Sequence, residues 1–407
     1  MSTPAYSVAL GVMRQSITTD LSRALVAALE PLAGRAPVVY LADFAHQVLI
    51  PVPSQMPGDA PADEPIGSSM SGRAFITGEP VSADRGDGAR VWVPLVHGTM
   101  RTGVLAVTVP EADEATVSNL EMLGVFMGLV LAATDPLSDL SHLRRRGRPM
   151  SLAATMQWGL MPPLSAATDR ALIAGALEPA YDIAGDGIDY AINADTVDFA
   201  IFDGMGHGVS SSMLTGLAVG AYRHSRRELS TVAAMHAAID RAIADQYDGE
   251  AFATGIIGRL STVTGEFEWS CAGHPPPLVL RDRTVVAELR CEPALPFGLG
   301  DRVPTVGLHY LQPGDAVLLY TDGVVEARTP AGEEFGLARL IDLLEREAAS
   351  GRTGDELLRR LVRAVLDHHV DQLRDDATLL LVQWIGADVP IVPSPRIGVG
   401  AVPLLDP

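Results

Sequence analysis

The chain has no lysine: all 30 basic residues among its 407 are arginine. A P-loop, a protein-kinase site and a pyridoxal Schiff base each need a lysine, so those three chemistries are excluded. The bias itself is what a genome rich in arginine codons produces. Cysteine is almost as scarce. Cys271 and Cys291 cannot form a disulfide framework, and the CxxC spacing of a zinc site is missing, so a reducing cytoplasm is the expected setting. Positive charge is short as well: 50 acidic residues leave a formal net charge of −20. Nucleic acid and anionic membrane surfaces would repel such a chain, and neither is expected as a partner. No charged n-region followed by an apolar h-region opens the sequence. The best apolar stretch, Leu123 to Ala133, is too short to cross a bilayer and reads as a buried helix.

What is present is a globular composition, 47% hydrophobic and 20% charged, with length enough for two domains and a connector. Residues 1–135 read as a small α/β unit. A helix is expected over Leu21 to Leu32, and strands at Val38 to Leu41, Val48 to Val52, Val91 to Val96 and Gly103 to Val109. The Pro- and Gly-rich segment Gln55 to Pro65 reads as loop, and an amphipathic helix runs from about Ala115 to Ala133. Residues 136–165 form a linker whose helix, Met150 to Leu160, stops at Pro162-Pro163. Its apolar stripe, Leu152, Met156 and Leu160, needs a partner, either a second copy in a homodimer or its own chain. A second domain spans residues 166–386, with many strand-like segments and two helical blocks. Residues 387–407 are a Pro-rich tail.

Four acidic motifs stand out in the second domain. Val197 to Phe202 is apolar at nearly every position and delivers Asp203, followed by glycine at every second place in Asp203-Gly204-Met205-Gly206-His207-Gly208. Ala316 to Thr321 is a second buried-type strand, ending at Asp322-Gly323. Ala377 to Trp384 is a third and begins just after Asp375-Asp376. Asp186 lies between Gly185 and Gly187. A lone Asp-Gly pair is more often a β-turn than a ligand. Four together put carboxylates at strand ends, with glycines that let a backbone approach a cation. So many like charges on one rim cannot all stay ionised without cations. Two Mg²⁺ or Mn²⁺ ions would neutralise them and activate a shared water toward phosphorus, and an all-oxygen donor set favours those ions. Around this centre His274 reads as loop-shaping rather than a substrate contact, His207 as orienting a metal-bound water or the loop or packing at a helix start, and Asp182 and Asp189 as structural or supporting the ligands. In the first unit His46 and His97 read as structural.

With its motifs in order, the second domain resembles the SpoIIE-type serine/threonine phosphatases, the bacterial branch of the metal-dependent PPM family. The resemblance runs from about Ala153 to Gln383 through DGMGHG, AGHPPPLVL (Ala272 to Leu280), PGDAVLLYTDGVVEAR (Pro313 to Arg328), EEFG (Glu333 to Gly336) and DDAT. One departure is Ala184-Gly185 where the family has a glycine pair. The resemblance implies an αββα sandwich and a two-ion site. In it Asp203 bridges both ions, the Gly204 carbonyl and Asp186 serve the second, and Asp322 and Asp375 hold the first. The family's last motif places its ligand first in the pair, which favours Asp375 over Asp376. It also implies hydrolysis of phosphoserine or phosphothreonine on a regulatory protein, an anti-sigma-factor antagonist of the STAS type. A silent phosphoprotein-binding scaffold is the alternative. SGRAFITGEPV and VWVPLVHGTMRTGVLAVTV resemble a GAF domain over about residues 15–134, which leaves a small-molecule ligand open.

Overall fold

The computed structural model describes residues 7, 21–52, 61–98, 100–135, 139–179, 181–182, 185–228, 230–292, 294–300, 304–329, 332–351, 354–368 and 375–386. They fall into two compact units, one built on residues up to Gly147 and one on Arg148–Val389. Ala184 and the tail lie outside the described residues.

The first unit opens with α1 (Leu21–Leu29). Its strands are β1 (Arg35–Ala42), β2 (Val48–Pro51), β3 (Glu64–Pro65), β4 (Val81–Asp84), β5 (Ala89–His97) and β6 (Met100–Val109). They form one antiparallel sheet in the order β3-β2-β1-β6-β5-β4. Helices α2 (Met70–Thr77), α3 (Glu114–Thr134) and α4 (Asp139–Arg144) complete the unit. The two-residue period of a strand sends Val91, Val93 and Leu95 toward α1 and α3, and Trp92 toward Phe75 of α2. Two expectations need correction. Glu64–Pro65, assigned to loop, pairs with Val48 and Leu49, because an edge position tolerates proline's missing N–H. The helix α3 is buried on one flank only: Leu120, Leu123 and Met127 sit in the core, whereas Met122 and Leu129 are 39% and 47% exposed. Among the described residues it is the one helix long and apolar enough to cross a membrane by length and composition.

The second unit begins with α5 (Leu152–Leu160), capped by the Ser151 hydroxyl accepting from the Ala154 amide. Then follow β7 (Ser165–Ala167), β8 (Ala171–Glu178), β9 (Asp186–Ile192), β10 (Thr196–Gly204), α6 (Val209–Arg227) and α7 (Val232–Tyr247). β11 (Ala253–Ser261), β12 (Glu266–Ala272), β13 (Leu278–Arg281), β14 (Thr284–Glu288), β15 (Gly307–Tyr310) and β16 (Ala316–Tyr320) come next. The unit closes with α8 (Asp322–Glu326), α9 (Leu337–Ala349), α10 (Gly354–His368) and β17 (Ala377–Trp384). Two antiparallel sheets result, ordered β15-β12-β11-β10-β9 and β14-β13-β16-β17-β8-β7.

Side-chain alternation fixes the layers. Val197, Phe199 and Ile201 of β10 meet Val317 and Leu319 of β16 and Leu380 and Val382 of β17 in a core between the sheets. The alternate residues Ala200 and Phe202 face α6 and α7, and Leu318, Leu379 and Leu381 face α9 and α10. These strands are apolar at nearly every position because both of their faces are covered. The unit is an αββα sandwich.

Candidate metal centre

β10 and β9 are paired so that Asp203 lies directly opposite Asp186, and on its other side Asp203 faces Thr254 of β11. Both acids therefore sit at one end of the first sheet. The second sheet brings its acids to the same rim. Asp322 opens α8 immediately after β16, and Asp375 and Asp376 immediately precede β17. β16 and β17 are neighbours, and the Thr321 amide donates to the Thr378 carbonyl at 3.1 Å. Gly323 follows from that closeness: a Cβ there would stand 2.0 Å from the Asp376 carbonyl oxygen. Gly206 and Gly208, at φ +90° and +78°, turn the segment after β10 back into α6.

The rim is electrostatically crowded. Burial, then Asp322, Asp375 and Asp376, push the Asp203 carboxyl up to about 7. Burial, then Asp203 and Asp376, hold Asp186 well above the usual range, partly offset by the Thr378 and Thr321 hydroxyls beside it. Asp375 is raised by burial and by Asp322, Asp376 and Glu326, against a hydrogen bond from the Asp376 amide. Among the described residues, the charged groups acting on Asp203 are acids. Other buried acids of this unit are paired with arginine: Asp189 is held by Arg223 and Arg226, Asp198 by Arg259, and Asp315 by Arg281. Among the described residues the rim acids crowd one another instead, an arrangement that a divalent cation would neutralise. The donors are oxygens, as hard divalent ions require. Among the described residues no group of three or more His, Cys, Asp or Glu is placed so that these side chains alone could hold a metal ion.

Asp375 and Asp376 occupy different environments. Asp376 is buried, and its Oδ2 accepts the amides of Gly185 at 2.7 Å and Asp186 at 3.2 Å; Asp375 opens to solvent as a residue, although the protein around its carboxyl still desolvates it. The Gly204 carbonyl accepts the Ser211 hydroxyl at 2.6 Å and keeps a second lone pair. His207 is exposed. His274 is buried, with its Nδ1 2.9 Å from the Thr254 hydroxyl, and burial pushes its pKa down to about 3, so it is a neutral group beneath the rim rather than a surface contact. Asp182 is exposed and lies 3.8 Å from Arg148. Sequence reasoning passed over Thr321, whose hydroxyl donates to Asp186 at 2.8 Å. It also passed over Ser211 and Thr215, whose hydroxyls donate to the carbonyls of Gly204 and Gly185.

Residues 193–385 match the family model described as Stage II sporulation protein E (SpoIIE). That stretch is just under half of the chain and lies within the sandwich, so the second unit is similar to the SpoIIE-type phosphatases. Phosphoserine phosphatase RsbU of Bacillus subtilis is 24% identical over 221 residues, covering 53% of this chain and 64% of that one. Protein IcfG of Synechocystis is 27% identical over 132 residues, covering 32% of this chain and 20% of that one. Among solved structures, the RsbU and RsbW domains of Rv1364c from Mycobacterium tuberculosis are similar at 29% identity. That match covers 54% of this chain and 62% of the other, with a TM-score of 0.47. The chain thus spans less than two thirds of the curated relatives it matches.

Proposed function

We propose that the chain is a Mn²⁺- or Mg²⁺-dependent protein phosphatase that hydrolyses phosphoserine or phosphothreonine on a regulatory protein, an anti-sigma-factor antagonist of the STAS type. One observation carries the reading: acids from two sheets, 186, 203, 322 and 375, crowd one another at one rim. Asp203, the Gly204 carbonyl, Asp186, Asp322 and Asp375 would hold the ions. When bound, the ions supply neutralisation of phosphoryl charge and activation of a water. The chain's own part is to hold these carboxylates at fixed spacing on rigid strand ends, so that a phosphoryl group meets an organised site. His274, kept neutral and buried, supports β11 beneath Asp203 without taking part in proton transfer.

The first unit is proposed to be a GAF-like sensor for a small molecule, a reading supported by its antiparallel sheet with helices on both faces. α5 is proposed as its route to catalysis. This helix is tied to α6 by Ser212 Oγ donating to the Ala153 carbonyl at 3.4 Å and by Arg223 donating to the Leu160 carbonyl. Leu160 lies against α6 at Gly216, while Leu152 is 65% exposed. The setting is proposed to be cytoplasmic, with neither nucleic acid nor membrane as partner.

The test is phosphate release from p-nitrophenyl phosphate and from a phosphoserine-bearing antagonist protein with Mn²⁺ added. Asp203→Asn is expected to lose turnover by at least about 10²-fold while keeping its circular dichroism, the scale at which one charge-stabilising group acts. Wild-type activity in that variant refutes the assignment, and phosphoprotein binding without release at any Mn²⁺ concentration makes the chain a scaffold.

A further inference from the structure

Acids on two different sheets can share ions only if the sheets keep one spacing at the rim. Apolar packing between the sheets is non-directional and does not set that spacing to the fraction of an ångström a ligand sphere needs. Polar ties across the rim do. Thr321, fully buried at the end of β16, receives the Thr378 amide at 3.0 Å. An amide N–H can only donate, so Thr321 Oγ1 is the acceptor there and its own proton is free for an acceptor. It goes to Asp186 Oδ2 at 2.8 Å, on the opposite sheet. Asp376, at the start of β17, reaches the same strand from its other side, accepting the amides of Gly185 and Asp186. Asp186 is therefore gripped at its backbone and at its carboxylate by two residues of the second sheet.

We propose that Thr321 and Asp376 are positioning residues for the cation site, neither of them a ligand, which lock Asp186 and the end of β9 to the half-site of Asp322 and Asp375. This rests on the metal-dependent reading above. It divides the acidic pair by role: Asp376 binds backbone, and Asp375 is the acid left to face an ion. Partners that orient a ligand are worth 10–100-fold in metal affinity. A tie that only braced the sandwich would change stability and leave ion affinity alone.

The experiment uses the full chain and Mn²⁺ itself as probe, measuring binding by calorimetric titration and stability by thermal unfolding in chelator. Thr321→Val keeps the shape and removes the hydroxyl; it is expected to weaken Mn²⁺ binding by about 10-fold or more, whereas Thr321→Ser stays within about threefold. Asp376→Asn keeps an oxygen for the two amides and is expected within about threefold of wild type, while Asp376→Ala and Asp375→Asn each lose about 10-fold or more. Wild-type Mn²⁺ affinity in Thr321→Val overturns the proposal. So does an Asp376→Asn loss as large as that of Asp375→Asn, because Asp376 would then be a ligand. If Thr321→Val fails to fold, the Asp376→Asn and Asp375→Asn pair decides the matter. Absence of Mn²⁺ binding by the wild-type chain is a separate result and defeats the metal reading itself.

Discussion

A carboxyl that sits in a crowd of its own kind reports the crowding through its proton. In the cation-free chain Asp203 titrates at about 7 rather than near 3.8, because of burial first and then three neighbouring acids. Unfolding returns it to the ordinary value. Between those limits the folded state holds a proton that the unfolded state has released, so stability falls as pH rises through that window. Asp186 and Asp375, also raised, act in the same direction. In chelator, the melting temperature is expected to fall between about pH 4 and about pH 7, at about 2–4 °C for each kcal/mol lost. Saturating Mn²⁺ should remove that fall, since the cation then takes the place of the proton. A melting temperature that stays level or rises in chelator would show that the acids do not crowd one another. The same scale explains what sequence reading missed. Asp203, Asp322 and the Asp375-Asp376 pair advertise themselves by standing at the ends of apolar strands. Thr321 does not, because its partner Asp186 lies 135 residues away and a threonine beside a strand end has many uses.

At the scale of elements, strands that face two cores carry more of the stability than strands that face one. Leu319 of β16 is fully buried between the sheets, whereas Leu308 of β15 is 53% exposed on an edge strand. Leu319→Ala is expected to cost about 2–5 kcal/mol in denaturant unfolding, while Leu308→Ala stays within about 0.5 kcal/mol. Equal losses would mean that β16 is not sandwiched as described. That contrast also governs which elements could be read in advance. β10, β16 and β17 and the two helical blocks, α6 with α7 and α9 with α10, were visible from their patterns, because double-sided burial writes an apolar run and single-sided helix burial writes a 3.6-residue period. β3, β14 and β15 were not visible. They are short edge strands of two to five residues, held by partners elsewhere in the chain, and too few side chains are buried to leave a pattern. Glu64–Pro65 shows the limit well: its composition signals a turn, and only the pairing with β2 makes it a strand.

At the scale of the molecule, the two units own separate cores. Leu25, Val93, Leu105 and Met127 belong to a cluster confined to the first, while the three clusters of the sandwich draw on residues 171 onward. Separate cores unfold as separate cooperative blocks unless something couples them. All the rim acids, with Thr321 and Asp376, belong to the second unit. A ligand stabilises only the block whose folded form binds it, by about 2.7 kcal/mol at a free concentration 100 times the dissociation constant. Scanning calorimetry of the full chain is therefore expected to show two transitions, of which Mn²⁺ raises one and leaves the other in place. In Asp203→Asn both transitions should remain and neither should move with Mn²⁺, since the fold of each block is kept while the ion site is lost. A single transition that shifts as a whole would mean that the units unfold as one. A pair that both shift in the wild type would mean that the first unit senses the ion as well. Only the expected pattern leaves the first unit free to take a ligand of its own, because its stability is then set independently of the catalytic ions.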